Sequence, residues 1–238
     1  MFDTIIFDFD NTLEQWLVPE TEAKVEIATE LSKKYQFNVS DFLQKWREVD
    51  NNPSGVKRED TVPWDFSRER RFQVLFKGFN IPEDPKKFEK KYWNIMNKKV
   101  SLFPNVKKTL DELKKRGIRM IILSDSGGAG EDKTKRIEIL GIKKYFDFIF
   151  TSNDFGMNKP NRKIYDEIIK RTGLDPKKTI SIGDDPLADL FMCKKLGMAT
   201  VWDQESFAFD KKIGFVDYVV KDIFEIVGII DKLNALPK

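Results

Sequence analysis

The sequence predicts an α/β fold: a parallel sheet covered by helices on both faces, with a purely helical stretch inserted after its first strand. Three observations carry this. From residue 103 onward, short apolar runs rich in Val, Ile and Phe alternate with helical patterns, as strands joined by right-handed crossovers require. One more such run stands alone near the start of the chain. Between them, residues 15–102 show helical periodicity and no strand pattern. The 238 residues suffice for one large domain or two modest ones sharing an interface.

The first strand is expected at about Thr4 to Asp8. In the helical stretch, "TEAKVEIATELSKKYQF" places Val25, Ala28, Leu31 and Tyr35 on one face. "RFQVLFKGF" offers Phe72, Leu75, Phe76 and Phe79, and "FEKKYWNIMNKKV" offers Phe88, Tyr92, Ile95 and Met96. Breakers at "NNPSG" (51–55) and "NIPEDP" (80–85) divide it into a bundle of about four helices. Then follow helix 105–116, strand 118–123, helix 132–140, strand 146–150, helix 161–172, strand 179–183, helix 186–196, strand 198–202, a short strand "DYVV" and a last helix from about 222.

Composition removes several kinds of chemistry. Histidine is absent, which excludes Ser-His-Asp and Cys-His catalysis and histidine-ligated zinc. The single cysteine, Cys193, permits no internal disulfide and no cysteine metal cluster. A net charge of +3 is too small to mark a nucleic-acid footprint, and its excess falls within 15–102. No run approaches a membrane span and no leader pattern is visible, so a cytoplasmic setting is expected. Any catalysis must run on carboxylates, lysine or hydroxyls, with or without a hard metal ion.

Four features carry such groups, and each also has an ordinary structural reading. "IIFDFDNTL" puts Asp8 and Asp10 two apart at the end of an apolar strand, on one face while the strand lasts. Ionised carboxylates there cost several kcal/mol unless paired, although a strand running into an Asx turn at Asn11 accounts for them too. "IILSDS" ends its strand on Ser124, which a turn would also favour. Lys159 precedes Pro160, which steers it away from helical backbone; alone it reads as a surface lysine. "SIGDDPLAD" crowds Asp184, Asp185 and Asp189 at a strand-to-helix turn, where capping explains one acid rather than three. A fifth candidate, "GGAGEDKT" (127–134), fails as a phosphate loop: Asp132 stands where the Walker pattern needs Gly, and Lys133 replaces the third glycine of G-x-G-x-x-G. It reads as a flexible turn.

In their order and on their elements, the four features resemble the haloacid dehalogenase (HAD) superfamily. "DFDNT" is similar to its D-x-D-x-T motif, Ser124 to its Ser/Thr motif, Lys159 to its lysine motif, and "GDDPLAD" to its acidic fourth motif. The resemblance covers residues 1–14 and about 103–220. It implies a Rossmann-like doubly wound sheet formed by residues 1–14 and 103–238, with residues 15–102 as a C1-type helical cap domain over the site. The first strand is then central, between the strands of Ser124 and Asp184, where the winding reverses and ligands bind.

The resemblance also implies roles. Asp8 is the nucleophile that forms an aspartyl-phosphate, and Asp10 is the acid and base, which needs a pKa raised by partial burial near other acids. Ser124, the backbone N–H of Asp125, and Lys159 hold the phosphate. Mg2+ is bound by the Asp8 and Asp184 carboxylates and the Asp10 carbonyl, while Asp185 and Asp189 steady Asp184 or metal-bound waters. Asp10 together with the Asp184 cluster favours phosphoryl transfer over dehalogenation. The expected activity is a Mg2+-dependent phosphatase for a small phosphorylated metabolite, in a monomer or weak homodimer, with no nucleic-acid or membrane partner. A phosphomutase, a 2-haloacid dehalogenase and a non-catalytic phosphate-binding module are the alternatives. The helical stretch holds Trp16, Trp46, Trp64 and Trp93. Trp46 or Trp64 with one of Arg58, Arg68, Arg70 and Arg71 is the candidate set facing the leaving group; aromatics filling the bundle core and solvated arginines is the ordinary reading.

Overall fold

The structure, a computed structural model, describes residues 1–51, 67–128, 130–206 and 212–235. Six parallel strands form one sheet in the order β3-β2-β1-β4-β5-β6: β1 Thr4–Phe7, β2 Arg119–Ser124, β3 Phe148–Thr151, β4 Thr179–Gly183, β5 Ala199–Asp203 and β6 Tyr218–Val220. The first strand is central, and order reverses on either side of it. A strand covered on both faces needs apolar side chains throughout, and all four residues of "TIIF" are buried.

Alternation sends Ile5 and Phe7 to one face and Ile6 to the other. The first pair joins Met120, Ile122, Ile180 and Ile182 beneath α5 (Val106–Lys115), α6 (Lys133–Ile139) and α9 (Glu225–Ala235). Ile6 joins Ile121 and Leu123 against α7 (Arg162–Thr172) and Cys193 of α8 (Phe191–Lys195). Where one helix was expected over 186–196, Pro186–Leu190 forms a wide, π-type turn before α8. Among the described residues no helix is long and apolar enough to cross a membrane.

Register fixes which residues meet at the carboxyl edge. Phe7 lies between Ile122 of β2 and Ile182 of β4. Asp8, Ser124 and Asp184 therefore leave three adjacent strands at nearly one level.

The inserted helices are α1 (Leu17–Tyr35), α2 (Val39–Asn51), α3 (Arg68–Gly78) and α4 (Pro85–Lys99). They gather around an apolar cluster of their own that includes Ile27, Leu31, Phe42, Trp46, Phe72 and Tyr92. The inward face of α1 is Ala23, Ile27, Ala28 and Leu31; Val25, expected there, is 42% exposed, because Ala23 and Ile27 give the better i, i+4, i+8 stripe. The expected residues of α3 and α4 do pack inward, with Phe79 half-buried. Trp46 belongs to this core, edge-on to Phe72 with centroids 5.0 Å apart. Trp64, Arg58 and most of the "NNPSG" breaker lie outside the described residues.

Phe72 is fully buried against Trp46, Phe76 and Phe88. Phe72→Ala is expected to cost about 3–5 kcal/mol of stability, measured by denaturant unfolding.

Candidate active site

Asp8 is the first residue past β1. Its N–H donates to the Ile182 carbonyl (2.9 Å), which locks its backbone to β4. The side chain is buried; Oδ1 accepts from Lys159 Nζ at 2.6 Å and Oδ2 from Thr12 Oγ1 at 3.2 Å. Lys159 is buried as well. Its ammonium also donates to Asp189 Oδ1 (2.6 Å) and the Leu123 carbonyl (3.3 Å), while its N–H donates to Asp125 Oδ1 (2.9 Å). Burial pulls the lysine pKa down, but Asp189, Asp8 and Asp125 outweigh it and hold the pKa well above the usual lysine value.

Asp8, Asp184 and Asp189 each offer a carboxylate oxygen, and the three oxygens lie within 4.8 Å of one another. Burial, reinforced by Asp8 and Asp189, pushes Asp184 up to about 9. Burial also raises Asp189, to about 7, with Asp8 and Asp185 adding to it and Lys159 opposing. One ammonium does not neutralise three crowded acids, so Asp184 and Asp189 are held toward their protonated forms. This oxygen-only donor set suits a hard divalent cation such as Mg2+, which would relieve the crowding.

Gly183 makes the crowding possible. A Cβ there would collide with the Asp189 carboxylate, so only glycine lets that side chain fold back over the strand end. Asp185 accepts from the N–H groups of Leu187 (3.0 Å) and Ala188 (3.1 Å), the capping role, and its own N–H donates to Asp189 Oδ2 (3.0 Å). Asp189, expected to steady Asp184 from behind, is itself one of the three converging acids.

Asp10 departs from expectation. The strand has ended by Phe7, and the Asp10 carboxylate meets two cations. Its Oδ2 accepts from Lys133 Nζ (2.6 Å) and its Oδ1 from Arg136 Nη2 (2.8 Å). Burial raises its pKa, but Arg136 and Lys133 together more than cancel that, so it lies below the usual carboxylate range rather than above it. Lys133 Nζ also donates to Ser124 Oγ (3.0 Å) and to the Asp125 carbonyl. Arg136 further donates to Glu131 Oε1 (2.6 Å) and Glu14 Oε1 (3.1 Å). Glu14 is fully buried and raised to about 8, chiefly by burial.

The sequence reading missed Lys133, Arg136, Glu131 and Glu14. One signal was available for Lys133: a cation at the first position of a helix opposes its dipole, so it needs an acid from elsewhere.

Two adjoining cavities share Asp10, Trp16 and Asp125. One, of about 230 Å³, is lined by Asp8, Ser124, Lys159, Asp184 and Asp189. The other, of about 200 Å³, is lined by Arg68, Trp93, Ser126, Gly127 and Glu131. Of the expected leaving-group set, Arg68 lines a cavity, whereas Trp46 is core and Arg71 turns to Asp50. Trp16 and Trp93 occupy the aromatic places.

Comparison with known proteins agrees with this architecture. A family model described as haloacid dehalogenase-like hydrolase matches residues 5–202. The glyceraldehyde 3-phosphate phosphatase of Methanocaldococcus jannaschii is 31% identical over 169 residues, covering 69% of this chain and 73% of that protein. The ribulose-1,5-bisphosphate 5-phosphatase of Halopiger xanaduensis is 27% identical and covers 84% of each. A Bacillus subtilis protein, YfnB, described as a HAD-hydrolase and solved bound to magnesium, shares the fold. Its TM-score is 0.73 at 18% identity, covering 97% of this chain and 99% of that one.

Asp184 ionises near 3.8 when unfolded and near 9 when folded. Between those values the folded protein holds a proton that the unfolded chain has lost, so stability without a divalent ion falls as pH rises through the window. In chelator, Asp184→Asn is expected to raise the thermal midpoint above neutrality and flatten that decline.

Proposed function

The chain belongs to the haloacid dehalogenase-like hydrolases, and from that premise we propose that it is a divalent-metal-dependent phosphatase, hydrolysing a small phosphate monoester through an aspartyl-phosphate on Asp8. The observation that carries the proposal is the Asp8 carboxylate at the end of the central strand, bonded to Lys159 and converging with Asp184 and Asp189.

Asp8 attacks phosphorus with a carboxylate oxygen, and the bond to the ester oxygen breaks. Nucleophile and ester are both anionic; at ~4 Å each charge pair costs roughly 4 kcal/mol at an effective dielectric near 20. Lys159 offsets part of this beside the nucleophile. Ser124 Oγ and the Asp125 N–H would hold the phosphoryl oxygens and stabilise the charge that spreads over them. Mg2+ held by the Asp8 and Asp184 carboxylates and the Asp10 carbonyl would supply the remaining positive charge. Asp10, ionised in the ligand-free protein, would take up a proton as the anionic ester binds, give it to the departing oxygen and recover one from the water that hydrolyses the aspartyl-phosphate.

Residues 15–102 would act as a cap. The second cavity, walled by Trp16, Trp93 and Arg68, is the natural place for the leaving group, and about 200 Å³ admits only a small one. Relatives named for three- and five-carbon phosphates support a small phosphorylated metabolite as the substrate class.

A phosphate-release screen over many phosphomonoesters tests the proposal. Turnover is expected with Mg2+ and not with chelator; Asp8→Asn should abolish it. Asp10→Asn should slow turnover of alkyl esters roughly 100-fold or more while leaving metal binding intact. Full activity of Asp8→Asn would refute the nucleophile assignment.

A further inference from the structure

The second cavity carries a buried donor that bond breaking at phosphorus does not use. Arg68, on its wall, is the first residue of α3, where a cation opposes the helix dipole. Acids of two other helices hold it there all the same. Its Nη2 donates to Glu20 of α1 (2.6 Å) and its Nη1 to Asp50 of α2 (3.3 Å). The guanidinium carbon also lies 4.6 Å from the centre of the Tyr92 ring, so the group is fixed in place. The side chain is 5% exposed, and its Nε is buried with no hydrogen-bond partner among the described residues. Leaving a buried donor unpaired is costly, and an oxygen entering the cavity would relieve it.

The charges on the walls are already engaged. Arg68 is the one cation lining this cavity among the described residues, and it is paired with Glu20 and Asp50. Lys24 and Arg71 share those acids without lining the cavity. Of the acids on the walls, Asp10 is bonded to Lys133 and Arg136, Glu131 to Arg136, and Asp125 to the Lys159 N–H. Trp16 and Trp93, with ring centres 5.9 Å apart, supply apolar faces. We infer that the leaving group is an uncharged alcohol bearing a further hydroxyl or carbonyl oxygen, a polyol or hydroxy-carbonyl fragment, and that Arg68 Nε–H is the donor that selects it. This rests on the phosphatase reading, with the leaving group in this cavity. A carboxylate or a second phosphate would leave water here without an uncommitted cation to meet it. An ammonium would face the Arg68 guanidinium. A neutral oxygen accepts from Nε at a smaller desolvation cost. An alcohol lacking that oxygen leaves the donor unpaired, the arrangement that discriminates most sharply between otherwise similar substrates.

Four alkyl phosphates, assayed with Mg2+, test the inference: glycerol phosphate, n-propyl phosphate, phosphoglycerate and phosphoethanolamine. All four lose an alkoxide-type leaving group, so differences in kcat/KM report on the cavity that receives it. Glycerol phosphate is expected to exceed each of the others by roughly 10- to 100-fold. Arg68→Lys keeps a cation for Glu20 and Asp50 but has no Nε donor. It should bring glycerol phosphate down toward propyl phosphate, chiefly through KM, whereas structural damage alone would lower all four esters alike. If Arg68→Lys does not fold by circular dichroism, the ranking of the esters by the wild-type protein decides. Fastest turnover of phosphoglycerate or phosphoethanolamine would overturn the inference and leave the phosphatase reading standing. So would no advantage of glycerol phosphate over propyl phosphate, or a folded Arg68→Lys variant that keeps the wild-type ratio. No turnover of any ester, p-nitrophenyl phosphate included, would bring down the phosphatase reading first and this inference with it.

Discussion

The architecture turns on too many acids in too little water at the carboxyl end of the central strand. Asp8, Asp184 and Asp189 converge there, and a single buried ammonium, Lys159, bridges two of them. Removing ions from water is costly, and attraction repays the cost only where opposite charges meet in good geometry. Without a further cation the site settles the deficit with protons, as the raised values of Asp184 and Asp189 indicate. A site that is short of positive charge suits a divalent ion, as the proposed function requires.

Around that centre lies a second, better balanced network. Lys133 and Arg136 face Asp10, Glu131 and Glu14, with Trp16 against the guanidinium. Here cations and acids nearly match, and Glu14 is held toward its neutral form. The two networks differ in setting: one lines a cavity with Asp8, Lys159, Asp184 and Asp189, the other closes around the Asp10 carboxylate. Gly130 brings the second network's loop against the inserted helices, since a Cβ there would collide with Glu89 of α4. Trp16 adds a contact on the same side, lying within 5.7 Å of Arg68 as well as near Arg136.

Much of this was legible in the sequence because the sheet is parallel and buried. Strands covered on both faces leave unmistakable apolar runs, and "TISIG" spans residues 179–183 in the structure as in the sequence reading. The acids at strand ends stood out because each breaks such a run. What stayed hidden depends on tertiary pairing. Lys133 and Arg136 look like ordinary helix-surface charges until their acids arrive from Asp10 and Glu14, more than a hundred residues away in sequence. The low pKa of Asp10 follows from the same pairing, because a count of nearby acids in sequence misses cations brought by another element. Val25 failed for a smaller reason: several stripes on one amphipathic helix satisfy the same periodicity, and packing chooses between them.

At the carboxyl end of β1, Asp184 and Asp189 hold protons in place of a divalent ion. Calorimetric titration of the metal-free protein with Mg2+ near neutral pH, in two buffers of different ionisation heat, measures both binding and proton release. Saturable binding with net release of protons is expected, because Asp184 and Asp189 must give them up to bind or adjoin the ion. No binding, or binding without proton release, would contradict the account.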